Sequence, residues 1–191
     1  MRWAIEPIGA NLVHMRSPAT ASVPKLIPDG LWVVEPERSA VRFRVRHMLV
    51  ASVEGHFGAV SGTVSAAGRA LHAEGSVEVG TIDTGMSERD KRLCGPGFFD
   101  AGVHPQIRFR AMSATPADDG SWSVDGELTI SDSTVPITFI ASASGRAPHP
   151  RIRAKGSLSR SAHGLDWPGL LHSGRAVVGD RVEIELDLEL R

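Results

Sequence analysis

The chain has 191 residues, enough for one domain that buries about 70% of the surface exposed by its unfolded form. Its 21 Lys and Arg residues are balanced by 22 Asp and Glu residues, so it lacks the basic excess that favours a nucleic-acid partner. Its single cysteine excludes an intramolecular disulfide, and no apolar run approaches the roughly 20 residues of a membrane-spanning helix.

The first 28 residues differ in character from the rest of the chain. They are rich in proline and contain no continuous apolar core of the kind found in an export signal. We therefore predict a loosely ordered extension over residues 1–28 and a folded domain over residues 29–191. The same observation favours a cytoplasmic location, with export as the alternative.

Two distant stretches alternate apolar and charged residues at the period of a β-strand. Residues 41–47 place arginines on their outer face, whereas residues 182–190 place carboxylates there. Opposite charges on adjacent strands stabilise a sheet by roughly 0.2 to 1 kcal/mol per pair. We therefore predict that these two strands are neighbours and that their pairing closes a barrel.

Further strand patterns, separated by Gly, Pro, Asp or Ser, fill most of the chain between these two stretches. The candidates are residues 58–65, 73–82, 106–113, 121–130, 134–143 and 151–159. About eight antiparallel strands without helical hairpins indicate an all-β fold. We predict a closed antiparallel β-barrel.

One segment interrupts the strands with charge, glycine and paired phenylalanines. Ser87, followed three residues later by Asp90, resembles a capping box, and two basic residues suit the C-terminal end of a helix. We predict one short helix near residues 87–94 that covers an end of the barrel. The same basic residues could lower the pKa of the neighbouring Cys94 thiol.

Four blocks of the chain form a recognisable pattern. Their residues are Trp32, Ser39 to Phe43, Val45 to Met48, Gly55 to Gly58, Ile82 to Gly85, Arg89, Asp90, Leu93, Phe98 to Asp100, Pro105, Ile107, Phe109, Gly126, Leu128 to Ile130, Pro136, Arg160, Gly164 and Leu165. In this order they resemble the YceI-like family of polyisoprenoid-binding proteins. The chain departs from the family pattern at Arg92, where a histidine is usual, and at His163, where an aromatic residue is usual. A glycine that is usual near Asp132 is also missing. These departures concern the polar residues of a site more than the fold.

The resemblance implies a lipocalin-like barrel that binds, and shields or transports, a long isoprenoid amphiphile such as a polyprenyl phosphate or an isoprenoid quinone. No other cofactor is expected. The residues expected to contact this ligand are Phe43, Val45, His47, Phe57, Arg89, Asp90, Phe98, Phe99, Ile107, Phe109, Leu128, Ile130 and Arg160. Arg89, Asp90 and Arg160 are the candidates for head-group contact, although each also suits a structural interaction at the rim.

Two other functions stay open at this stage. A barrel filled by its own side chains would serve as an interaction module, and a barrel that presents a lipid to His47 or Asp90 would be an enzyme. The histidines lack the spacing of a metal site, and no nucleophile motif is present, so we expect neither a metal nor catalysis. The expected partner is an isoprenoid lipid or quinone, and the resemblance is also compatible with a homodimer.

Overall fold

The computed structural model describes residues 26–47, 51–68, 70–166 and 178–191, and these form a fold built mostly of strands. The strands are β1 (Gly30–Val33), β2 (Ala40–His47), β3 (Ala51–Phe57), β4 (Val60–Ala67), β5 (Ala70–Glu78), β6 (Ile82–Asp83), β7 (Gln106–Pro116), β8 (Trp122–Ile130), β9 (Ser133–Ser144), β10 (Arg151–Ser159) and β11 (Val178–Glu189). The α-helix of the described residues, α1 (Ser87–Cys94), lies between β6 and β7. The predicted all-β fold with one short helix near residues 87–94 is therefore confirmed.

The eleven strands belong to a single antiparallel sheet that curls on itself. Their order is β1-β4-β5-β7-β8-β9-β10-β11-β2-β3-β6. Only Gly58 and Ala59 separate β3 from β4, yet β3 pairs with β2 while β4 pairs with β1 and β5 near the opposite edge. The sheet must curl to allow this, as its natural twist permits. The pairing thus gives a curled, eleven-stranded half-barrel in place of the predicted closed barrel of about eight strands.

The two charged strands of the prediction are neighbours in the sheet. β2 and β11 pair antiparallel, with Phe43 opposite Ile184 and Val45 opposite Val182. Because side chains alternate across a strand, these apolar residues share the inner face and the charged residues share the outer face. The predicted adjacency of the two strands is confirmed.

Three strands were not predicted as separate elements, and in each case the sequence pattern is weak for a physical reason. β1 and β6 have four and two residues, too few to show a period. β3 contains Gly55, and an interior glycine weakens a strand pattern. Gly55 nevertheless lies directly opposite Phe43 on β2.

The core lies on the inner face of the sheet and extends beyond the predicted domain boundary. Leu26 and Ile27, which the prediction assigns to the loosely ordered extension, are buried and belong to the core cluster. The remainder of that extension, residues 1–25, lies outside the described residues. The packed core of the described residues therefore includes Leu26 and Ile27.

The outer faces of β2, β11 and β10 carry complementary charge. Glu185 on β11 lies opposite Arg42 on β2 and opposite Lys155 on β10. Lys155 Nζ donates a hydrogen bond to Glu185 Oε1 at 2.7 Å. This hydrogen bond, and then the nearby positive charges, hold the pKa of Glu185 below its ordinary value.

Reversing both charges of the Arg42 and Glu185 pair is expected to cost less stability than the two single reversals together. The coupling should be about 0.5 kcal/mol, since the pair is cross-strand but solvent-exposed. Urea unfolding of Arg42→Glu, Glu185→Arg and the double variant measures it. Combining Arg42→Glu with Glu127→Arg, on the distant strand β8, provides an additive control. Strict additivity of the Arg42 and Glu185 changes would contradict the prediction.

Candidate ligand cavity

The inner face of the curled sheet encloses a cavity of about 310 Å³. This volume lies within the range of small-molecule sites, about 300 to 1,000 Å³. Residues of all the long strands line it, and α1 contributes Arg89 and Leu93. Its described lining is apolar except for His47, Ser61, Glu74, Ser76, Thr84, Arg89 and Arg160. The cavity therefore suits a hydrocarbon chain far better than a polar solute.

Every residue predicted to contact a ligand lines this cavity except Asp90. Those that do are Phe43, Val45, His47, Phe57, Arg89, Phe98, Phe99, Ile107, Phe109, Leu128, Ile130 and Arg160. Strands distant in sequence bring them together because each presents its apolar face inward. Their contact with a ligand stays a prediction.

Sequence reasoning missed most of the lining residues, which are chiefly valines, leucines and isoleucines with some alanines among them. Ala73, Ala141 and Ala154 line the cavity, as does Phe139 on β9. An alanine is compatible with either face of a strand, so the type of residue alone gave no signal. Strict alternation along β9 and β10 could have found Phe139 and Ala154, because both strands were predicted with nearly correct bounds.

Arg89 and Asp90 do not point freely into the cavity, because both bind Thr84. Thr84 donates from its backbone N, at 3.0 Å, and from its hydroxyl, at 2.5 Å, to Asp90 Oδ1. Arg89 donates to Thr84 Oγ1 and to Thr84 O, each at 2.7 Å. These contacts fasten the first turn of α1 to the chain after β6. The geometry thus favours a structural interaction for Arg89 and Asp90 over contact with a head group.

The predicted capping box at the start of α1 is wrong. Ser87 is the first helical residue, Met86 occupies the N-cap position, and no side chain caps the helix there. Asp90 cannot complete a capping box because Thr84, outside the helix, occupies its carboxylate. The helix is therefore positioned by tertiary hydrogen bonds more than by a local cap.

The guanidinium of Arg160, just after β10, donates hydrogen bonds to three backbone carbonyl groups. Nη1 donates to Leu165 O at 2.7 Å, Nε to Gly179 O at 3.1 Å and Nη2 to Val178 O at 3.3 Å. The side chain is only 11% exposed, and Asp166 Oδ1 lies 3.8 Å from Nη1. Arg160 therefore ties the start of β11 to the turn that follows β10.

Cys94 at the end of α1 is not activated. Its partly buried Sγ contacts Val79 O at 3.7 Å in a weak hydrogen bond. Burial, and then the negative charge of Asp90, raise the pKa of the thiol. The predicted lowering by the neighbouring basic residues is thus wrong, and the thiol form is favoured at neutral pH.

His163 occupies the position where the family pattern has an aromatic residue. Its side chain is buried, with the residue 5% exposed, and Nδ1 has no hydrogen-bond partner. Burial lowers the pKa of this imidazole, and a hydrogen bond to the backbone of Ser133 partly opposes that shift. The native state therefore favours the neutral ring.

The His163→Phe variant is expected to lose part of the acid sensitivity of the parent protein. The unfolded chain binds a proton at His163 near pH 6.5, whereas the folded chain resists it, so stability should fall as the pH drops below that value. Urea unfolding between pH 7.5 and pH 5 measures the difference between the two proteins. The His149→Phe variant, at an exposed position, serves as the control. A parent and a His163→Phe variant with parallel pH profiles would contradict the prediction.

Comparisons with known proteins agree on one family. A model of the YceI-like domain matches residues 32–190. A UPF0312 protein of Shewanella putrefaciens is 27% identical over 141 residues, covering 72% of each chain. A UPF0312 protein of Staphylococcus aureus is 26% identical over 162 residues, covering 79% of this chain and 91% of the relative.

Solved structures with the same fold include two bacterial proteins. BcnA of Burkholderia cenocepacia matches with a TM-score of 0.73 and 22% identity over 82% of this chain and 98% of that one. A polyisoprenoid-binding domain from Saccharophagus degradans matches with a TM-score of 0.65 and 14% identity over 84% of this chain and 97% of that one. At these identities the likeness establishes the fold. Within the described residues, no helix is long and apolar enough to cross a bilayer.

Proposed function

This chain belongs to the YceI-like domain family, and from that premise we propose that it binds a long-chain isoprenoid amphiphile in its cavity. The observation that carries the proposal is the continuous apolar lining of that cavity, to which the long strands of the sheet contribute. The Saccharophagus degradans neighbour, a polyisoprenoid-binding domain, supports the same class of ligand. The interaction-module alternative needs a filled interior, and an open volume of about 310 Å³ weighs against it.

The hydrocarbon tail supplies the affinity for such a ligand. At roughly 0.8 kcal/mol per buried carbon, a chain of about forty carbons would gain on the order of 30 kcal/mol. This exceeds the practical ceiling of about 20 kcal/mol for non-covalent binding, so incomplete burial of the tail and its ordering must together offset a large part of the gain. The tail therefore gives tight binding with little selectivity, and the head group must provide the rest.

The polar contacts of the lining favour an uncharged head group. Both cavity-lining arginines of the described residues already donate to protein oxygens, Arg89 to Thr84 and Arg160 to backbone carbonyls. A phosphate would have to compete with these contacts, whereas a quinone needs no counter-charge. We therefore favour an isoprenoid quinone over a polyprenyl phosphate as the ligand.

Binding of this kind would shield the tail from water and allow the protein to act as a carrier. Three polar residues at the cavity, Thr84, Arg89 and Arg160, are engaged in positioning the backbone and α1, which is the role expected in a binding protein. An enzyme acting on an isoprenoid lipid stays the second alternative. Turnover that is lost on changing His47 would favour it over the carrier.

Titration of delipidated protein with a long-chain ubiquinone, in detergent below its micelle concentration, tests the proposal. We expect saturable quenching of tryptophan fluorescence at about one ligand per chain, because Trp122 is a buried member of the core cluster. The tail-free ubiquinone head should not bind measurably, and a polyprenyl phosphate of equal length should bind no more tightly than the quinone. If neither long-chain ligand saturates the protein, the proposed function is wrong.

A further inference from the structure

Three glycines on the inner face of the sheet each face a phenylalanine ring from the preceding strand in the sheet order. Phe43 on β2 covers Gly55 on β3, Phe109 on β7 covers Gly126 on β8, and Phe139 on β9 covers Gly156 on β10. Each ring therefore leans in the same direction around the sheet. The repetition on three separate strand pairs sets these glycines apart from the turn glycines.

Each ring occupies the space that a β-carbon would need. A β-carbon at Gly156 would lie 2.7 Å from Phe139 Cδ1, one at Gly126 would lie 2.5 Å from Phe109 Cε2, and one at Gly55 would lie 2.8 Å from Phe43 Cε1. Carbon atoms pack at about 3.5 to 4.0 Å, so no residue with a side chain fits beneath these rings as they stand.

The rings consequently lie against the wall and not across the cavity. Inner-facing side chains stand roughly perpendicular to a sheet when their neighbours have β-carbons. A glycine removes that neighbour and allows the ring to fold down over the backbone. Phe109 and Phe139 also meet edge to face, with centroids 5.3 Å apart, which fixes both in the lowered position.

We propose that Gly55, Gly126 and Gly156 are specificity-determining residues that set the bore of the cavity and so admit a methyl-branched chain. This inference rests on the proposed isoprenoid-binding function. An isoprenoid carries a methyl branch on every unit and needs a wider bore than an unbranched alkyl chain of the same length. Raised phenylalanine rings would narrow the bore and exclude the branched chain first.

Close backbone packing contributes unequally at these glycines: a β-carbon at Gly126 would also lie 2.5 Å from Arg110 O, and one at Gly55 would lie 2.9 Å from Asp83 O. Gly62 is the extreme case. A β-carbon at Gly62 would meet backbone atoms, Glu74 O at 2.6 Å and Gly75 Cα at 3.1 Å. At Gly156 the nearest atoms belong to the Phe139 ring, and the nearest backbone atom, Thr138 O, is 3.0 Å away. Gly156 thus gives the cleanest test, because a methyl group there displaces a side chain before it displaces the backbone.

The test compares two alcohols of equal main-chain length, the branched geranylgeraniol and the unbranched hexadecanol. Gly156→Ala is expected to weaken geranylgeraniol binding by about tenfold, as for a misplaced methylene in an apolar pocket, while hexadecanol binding changes by less than about threefold. Adding Phe139→Leu to that variant should restore the parent's ratio of affinities. The matched control is Gly80→Ala, because a β-carbon at Gly80 would meet no atom within 4 Å.

The inference is overturned if Gly156→Ala weakens the binding of both alcohols equally, or weakens the binding of neither. If Gly156→Ala does not fold, Phe139→Leu alone decides: it should shift the affinity ratio further towards geranylgeraniol, and an unchanged ratio overturns the inference. A parent protein that binds neither geranylgeraniol nor a long-chain quinone overturns the proposed function itself. If the parent binds both alcohols and the variants leave the ratio of the two affinities unchanged, only the role of the glycines is overturned.

Discussion

Replacing Ala154 with phenylalanine is expected to weaken binding of a long-chain quinone strongly while the protein remains folded. Ala154 lies in the middle of β10, is 4% exposed and lines the cavity. Its cross-strand neighbours are Ala141 and Leu186, so the added ring must extend into the open volume. We expect a loss of affinity on the order of a hundredfold, since even one misplaced methylene costs about tenfold or more. Tryptophan quenching by the long-chain ubiquinone measures it.

The same ring placed on the outside of the sheet provides the control. Ser142 on β9 is exposed and lies opposite Arg153, so Ser142→Phe adds equal bulk without entering the cavity. This variant should bind the quinone as the parent does. Ala154→Phe should lose about 1 to 3 kcal/mol of stability at most, as for a residue inserted into a packed region. An Ala154→Phe protein with the parent's affinity would place the ligand outside the cavity.

Arg160→Met is expected to lower the free energy of unfolding by about 3 kcal/mol. Hydrogen bonds to a charged group contribute about 1.5 to 3 kcal/mol each, and the change leaves the carbonyls of Leu165, Val178 and Gly179 without this donor. Methionine retains most of the apolar stem, so the loss reports on the guanidinium. Urea unfolding measures the difference.

Arg153→Met supplies the matched control for the change at Arg160. Arg153 lies on β10 with a side chain that is 66% exposed, and its nearest carboxylate oxygen is that of Asp187 at 3.6 Å. Its loss should change stability by less than about 0.5 kcal/mol. A head-group role for Arg160 would appear differently: stability would hold, and binding of a polyprenyl phosphate would fall while quinone binding persisted.

The fold was predictable where a strand buries one face and exposes the other. β2 and β11 show this clearly, and their complementary charges even identified them as neighbours. β3 was missed because the glycine that Phe43 requires removes the apolar residue that would have marked its inner face. The strand count, and with it the form of the barrel, depended on such short or interrupted elements.

The cavity was only partly predictable, for a different reason. Large apolar residues such as Phe109 and Leu128 indicate the inner face of a strand, and both line the cavity. Open volume is created by the small residues between them, and Ala154 looks no different from an alanine at the surface. The partners of Arg89 and Arg160 are backbone carbonyls and a threonine, which no charge pattern in the sequence can reveal.

Native mass spectrometry of the purified protein, followed by organic extraction of whatever it carries, directly tests isoprenoid binding in the cavity. We expect an added mass of one isoprenoid lipid per chain, with a quinone or another uncharged head group in the extract, and its absence from Ala154→Phe prepared in parallel. A mass equal to that of the polypeptide alone, unchanged after incubation with long-chain ubiquinone and polyprenyl phosphate, would contradict it.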